Sequence, residues 1–191
     1  MPNMSSLAAH VLVAAILLPW ARTAHGQQCG VLTGLETRGL PKPKTHVNRY
    51  YMAGTTILSE EPVSIKVKGS PVRDVAGIVQ YRGQVPDPAP TLTLQIHVVD
   101  TLERPIDQRQ LAILVDDSVR TEFGSMRVFR RNKPGDKKVD QSLTADIPSH
   151  PFTVLAYAHR ATFLLGDTEI ELTPRHLEAL RALYVAAVCG T

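Results

Sequence analysis

The sequence predicts a mainly β protein: an antiparallel β-sandwich, or open barrel, of about eight to ten short strands with one C-terminal amphipathic α-helix. Three observations predict it. Short runs of alternating apolar and polar residues recur along the chain, separated by Gly, Pro and Asp. No helical pattern comes between them, which is the rhythm of antiparallel pairing rather than of βαβ units. The 14 prolines fall mostly between these runs, where a missing N–H is tolerated.

Taken in order, Met1 to Gly26 read as a signal peptide. Leu7 to Leu18 is apolar apart from His10, Pro19 breaks the run, and Ala24 and Gly26 supply small residues where a signal peptidase needs them. No Lys or Arg precedes the apolar core, so the positive end rests on the amino terminus alone. The run is too short to span a bilayer, and no transmembrane segment is expected in the mature chain. Residues 27–191 then form a single exported domain, long enough for a sizeable core. Cleavage after Gly26 removes Arg22 and no acid, taking Lys+Arg from 21 to 20 against 18 Asp+Glu, a net charge of +2. That is too little to argue for a nucleic-acid partner. Cleavage also removes Trp20, the only tryptophan.

Val31 to Asn48 is a polar lead-in broken by Gly34, Gly39, Pro41 and Pro43. Arg49 to Leu58 is the first expected strand. Val63 to Lys68 alternates, with Val63, Ile65 and Val67 inward, and Gly77 to Arg82 is another short run. Thr91 to Val98 is the clearest strand: Leu92, Leu94, Ile96 and Val98 share one face, and Thr93, Gln95 and His97 the other. Gln110 to Val115 and Val119 to Phe123 read as a hairpin through Asp116, Asp117 and Ser118, which Arg127 to Arg130 extends. Leu143 to Ile147 and Phe152 to Tyr157 are the next strands. Ala161 to Leu165 and Thr168 to Leu172 form a hairpin over Gly166 and Asp167, a pair suited to a type II′ turn because Gly takes φ > 0 freely.

Thr173 and Pro174 are the N-cap and first position of the closing helix, 174–188, and Gly190 ends it. Leu177, Leu180, Leu183, Tyr184, Ala187 and Val188 form its apolar stripe, with Arg175, Glu178 and Arg181 away from it. The stripe is expected to pack on the chain's own sheet. Cys189 follows, and the only other cysteine is Cys29. In an exported chain the two most simply make one disulfide, tying the ends together. A loop of about 160 residues contributes roughly 5 kcal/mol on the chain-entropy model, an upper figure.

No motif of catalysis stands out, and nothing points to a cofactor. The mature histidines, His46, His97, His150, His159 and His176, show no metal-ligand spacing. Gly124, Ser125 and Met126 lack the second glycine of a nucleophile elbow. A triad of His97 or His159 with Asp116 or Asp117 depends on geometry alone, and both carboxylates fit turn positions better. There is no Cys-x-x-Cys and no glycine-rich phosphate loop. Tyr50 and Tyr51 are the candidate sugar-stacking pair, although adjacent strand residues face opposite ways. The one local charge feature is Arg127, Arg130, Arg131, Lys133, Lys137 and Lys138, opposed only by Asp136. It is the candidate anion-contact patch, of the kind that gives a weak, salt-sensitive contact.

In layout the chain resembles small exported bacterial domains, a resemblance that assigns no site residue. The first functional reading is a non-enzymatic exported binding or structural domain of the bacterial cell envelope or extracellular space. Its partner would be an envelope protein or an anionic envelope component. The alternative is a small secreted hydrolase whose site is assembled from separate strands.

Overall fold

A computed structural model describes residues 40, 44–65, 71–87, 89–100, 110–130 and 137–190. The expected signal peptide, Cys29, most of the polar lead-in, Val67, Arg131 and Lys133 lie outside the described residues.

Two antiparallel sheets and a C-terminal helix make up a mainly β architecture, as the alternation predicts, and neither sheet closes into a barrel. The larger sheet contains β1 (Val47–Met52), β2 (Thr55–Glu60), β3 (Val63–Ser64), β4 (Val72–Arg82), β5 (Leu92–Asp100), β8 (Arg127–Arg130) and β9 (Val139–Ile147), in the order β1-β2-β4-β5-β9-β8 with β3 also on β4. The smaller contains β6 (Gln110–Val115), β7 (Val119–Ser125), β10 (Ala161–Leu165) and β11 (Thr168–Glu171), in the order β11-β10-β6-β7. Two helices, α1 (Ser149–Ala156) and α2 (Pro174–Cys189), complete the described elements.

β5 follows its alternation. Leu92, Leu94, Ile96 and Val98 are buried, and their register partners on β9 (Ile147, Ala145, Leu143 and Gln141) extend the inner face across the sheet. α2 also forms as its pattern predicts, with Leu177, Leu180, Leu183, Tyr184, Ala187 and Val188 all buried. Its side against the large sheet lies over β1, β2 and β4. Gly77 of β4 admits this approach: a Cβ there would lie 2.8 Å from Leu183 Cδ2 and 3.0 Å from Leu92 Cδ1. At the N-terminus of α2, the Thr173 backbone N–H donates to His176 Nδ1 at 3.1 Å. Nδ1 is therefore an acceptor, and Nε2–H donates to the Val63 carbonyl at 3.2 Å. Burial holds the His176 pKa below its ordinary value. Gly190 ends the helix in the left-handed region, φ 75°.

Four expectations are corrected. The single strand over 49–58 is a hairpin, β1 and β2, turned at Ala53 (φ 52°) and Gly54 (φ 79°). A turn with two positive φ values normally announces itself by Asn-Gly or Asp-Gly, and alanine gives no such signal. The run Arg127 to Arg130 does not extend the preceding hairpin. After the buried Met126 the chain leaves the small sheet, and β8 pairs with β9 in the large one. The expected strand over 152–157 is helix α1, so the described residues hold two helices. Phe152, Leu155 and Ala156 are buried at helical spacing. A short apolar run does not distinguish strand from helix by period, and here Phe152 and Tyr157 pack edge-on against Tyr184 of α2, at 5.0 and 6.4 Å between ring centroids. Arg181, expected on the solvent face of α2, is buried. Its guanidinium donates to the carbonyls of Ala156 (2.9 Å) and Ala158 (3.2 Å), groups that the end of α1 leaves without helical partners.

Candidate functional site

The outer face of the large sheet carries a polar cluster that joins three strands. It starts from a β-bulge. Val72 pairs with Val98 and Asp74 with His97, so Arg73 is the extra residue and Asp74 turns to the outer face beside His97. Ser142 of β9 lies directly opposite His97 in register, and Asp140 one step diagonal to it. His97 Nδ1 is 3.0 Å from Asp74 Oδ2 and Nε2 is 2.8 Å from Asp140 Oδ1. A neutral imidazole offers one donor and one acceptor, whereas two carboxylates ask for two donors. The pair therefore favours the imidazolium. Partial burial alone would lower the His97 pKa; the hydrogen bonds and charges of Asp74 and Asp140 outweigh it and raise the pKa above 6.5.

The polar row continues along the strands. Gln95 Nε2 donates to Ser142 Oγ at 2.5 Å, Thr93 Oγ1 donates to Asp146 Oδ1 at 2.9 Å, and Arg127 Nη2 reaches both Asp146 oxygens at 2.9 and 3.0 Å.

The sequence-predicted groups are distributed as follows. Arg127 is engaged with Asp146 on the edge strand β8. Arg130, Lys137 and Lys138 are exposed at the same edge and at the approach to β9. Arg131 and Lys133 lie outside the described residues. Asp116 accepts backbone N–H groups of His159 (3.0 Å) and Arg160 (2.8 Å), and Asp117 pairs with Arg160 at 2.9 Å. Both are turn residues tying the β6–β7 corner to the start of β10, and His97 takes its carboxylates from elsewhere. Tyr50 and Tyr51 are both exposed because β1 is a sheet edge. Their opposite facing stops them from stacking on one sugar. Cys189 ends α2 and packs against the core; its expected partner Cys29 lies outside the described residues.

Two features were not anticipated from the sequence. Glu60 is buried under α2 on the inner face, accepts a hydrogen bond from the Gly77 backbone N–H, and has its pKa pushed up to about 8 by desolvation. Its Oε2 has no partner. A groove of about 480 Å³ crosses the outer face of the small sheet over Ala112 and Leu164, flanked by the Arg120–Glu122 ion pair.

The site's chemistry is limited by its own geometry. A histidine that activates a hydroxyl needs one nitrogen turned to that hydroxyl and the other to a carboxylate. Here carboxylates face both. Among the described residues no group of three or more His, Cys, Asp or Glu is placed to hold a metal ion, and no helix is long and apolar enough to cross a membrane. Compared with protein-family models, curated proteins and solved structures, the chain matches none.

Proposed function

We propose that this chain is a non-enzymatic, exported binding domain of the bacterial cell envelope or extracellular space that recognises an anionic envelope component through its basic edge. One observation carries the reading: β8 and the approach to β9 bring Arg127, Arg130, Lys137 and Lys138, all exposed, to one edge of the large sheet. Such a patch acts by screened electrostatics and gives a salt-sensitive contact. The test is co-sedimentation with phosphatidylglycerol vesicles against phosphatidylcholine vesicles. The parent chain is expected in the anionic pellet at low salt and in the supernatant at high salt, and the double variant Arg130→Glu, Arg131→Glu in the supernatant throughout. A parent that ignores anionic vesicles at low salt, or a variant that still pellets, removes the proposal.

Export and a Cys29–Cys189 clamp belong to the same reading. An intact mass of the exported protein should begin at Gln27 and rise by two hydrogens on reduction. A full-length chain with free thiols contradicts both.

A second reading, the hydrolase assembled from separate strands, is favoured by Ser142 standing opposite His97 while Asp74 holds Nδ1. It requires Nε2 to leave Asp140 for Ser142. Labelling of Ser142 by a serine-directed phosphonate would support it, and an unlabelled Ser142 in both the parent and Asp140→Asn would discard it.

A further inference from the structure

Apart from the two-residue β3, the two sheets end, among the described residues, in four edge strands, and three of them are poor templates for pairing. β11 has four residues, two of them Glu169 and Glu171; β8 has four, two of them Arg127 and Arg130. β7 is irregular in register and carries Arg120 and Glu122. Short length, charge and bulges are the usual means of blunting an edge. β1 has neither short length nor a bulge, and its one charged residue, Arg49, donates to the Ala186 carbonyl of α2 at 3.4 Å. It is six residues long, pairs with β2 without a register break, contains no proline or acid, and exposes Tyr50 (58%), Tyr51 (53%) and Met52 (68%).

We propose that β1 pairs antiparallel with β1 of a second copy of this chain across a two-fold axis, with Tyr50 opposite its own counterpart. The register follows from symmetry. A two-fold axis relating two antiparallel edge strands stands perpendicular to the sheet, so outer residues face outer residues and the axis must pass through a residue. An axis at Arg49 sets guanidinium against guanidinium, a destabilising like-charge pair. An axis at Tyr51 leaves only residues 50–52 overlapping. An axis at Tyr50 overlaps residues 48–52. It stacks Tyr50 on its counterpart, sets Asn48 against Met52, and sets Arg49 opposite Tyr51 of the other copy twice, so that each charge faces an aromatic residue and not its own like. The pattern of β1 thus complements itself, which is the argument for a second copy over a foreign strand. One strand pair buries less than the roughly 1,200–2,000 Å² of a standard interface, so the dimer is reversible and concentration-dependent.

The test is register-specific crosslinking with sedimentation of the full chain. Directly opposite positions in an antiparallel pair have Cβ atoms about 4.5–5.5 Å apart, near the reach of a disulfide. Tyr50→Cys should give a reductant-sensitive crosslinked dimer on mild oxidation. Met52→Cys, at a site at least as exposed but facing Asn48, should give several-fold less, with the parent as the blank for Cys29 and Cys189. The parent should sediment increasingly as dimer as concentration rises. Equal yields from the two variants would overturn the register. A parent that stays monomeric at every concentration, with no crosslink from Tyr50→Cys, would overturn the dimer and leave β1 to the strand of another protein. Sedimentation of the parent decides the matter even if a variant fails to fold.

Discussion

Glu60 and His97 sit on opposite faces of the same sheet, and both hold their protons more tightly than in a free side chain. They do so for opposite reasons. Glu60 lies on the inner face under Leu183, with one oxygen unpartnered, and desolvation penalises its charged form. His97 lies on the outer face, and two carboxylates favour its charged form. A raised pKa is therefore a fault in one place and a tie in the other. The pH dependence has the same sign in both. The stability linked to Glu60 is whole below 4.5 and is lost as pH rises toward its folded pKa of about 8. That linked to His97 is whole below 6.5 and is lost as pH rises through its raised folded pKa.

Neutral substitutions separate the two. Glu60→Gln carries the largest expected effect, because it leaves no charge to bury. Near pH 9 it should be more stable than the parent by up to roughly 5 kcal/mol, and near pH 4 no more stable. Melting temperatures of both chains across that range measure it, and parallel curves would mean that Glu60 is ionised and solvated in the folded state. Gly77→Ala tests how closely Glu60 is roofed. A methyl group 2.8 Å from Leu183 Cδ2 forces α2 or Leu183 to move, at a cost of about 1–3 kcal/mol. Thr93→Ala on the outer face should stay within about 0.5 kcal/mol. Equal costs for the two would mean that α2 yields freely. His97→Gln should lose less than about 1 kcal/mol in mildly acidic buffer, since the cluster is partly exposed, and nothing in alkaline buffer. Proton NMR of the ring sharpens this: the His97 pKa should fall in both Asp74→Asn and Asp140→Asn. A titration unmoved by either would leave His97 an ordinary surface histidine.

Much of the scaffold was legible because its signals are local. The period of two over Leu92 to Val98, the Gly166–Asp167 turn and the Thr173–Pro174 start of α2 each act within a few residues. Gly166 takes φ 55° as the hairpin requires. What went unread lacks a local signature. The hairpin at Ala53 is turned by a residue that seldom accepts a positive φ. The change of sheet at Met126 is visible only once β9 stands beside β8. The His97 cluster was half legible. Alternation placed His97 on the outer face, but its carboxylates come from 23 and 43 residues away, and one of them reaches it through a bulge.

Which residues alternate, where the closing helix starts and ends, and which apolar side chains that helix buries all follow from local pattern, because backbone geometry and side-chain period settle these within a single element. Contacts between elements far apart in the chain set the fates of Arg181, Glu60 and His97. Arg181 is polar by composition and buried because α1 lies beside it with carbonyls to satisfy. Glu60 follows the inward alternation of Thr56 and Leu58 and becomes a buried acid only where α2 covers that face. His97 is clamped between two carboxylates only when three strands align their outer faces. Burial and charge pairing belong to the environment of a side chain, and packing across the fold makes that environment.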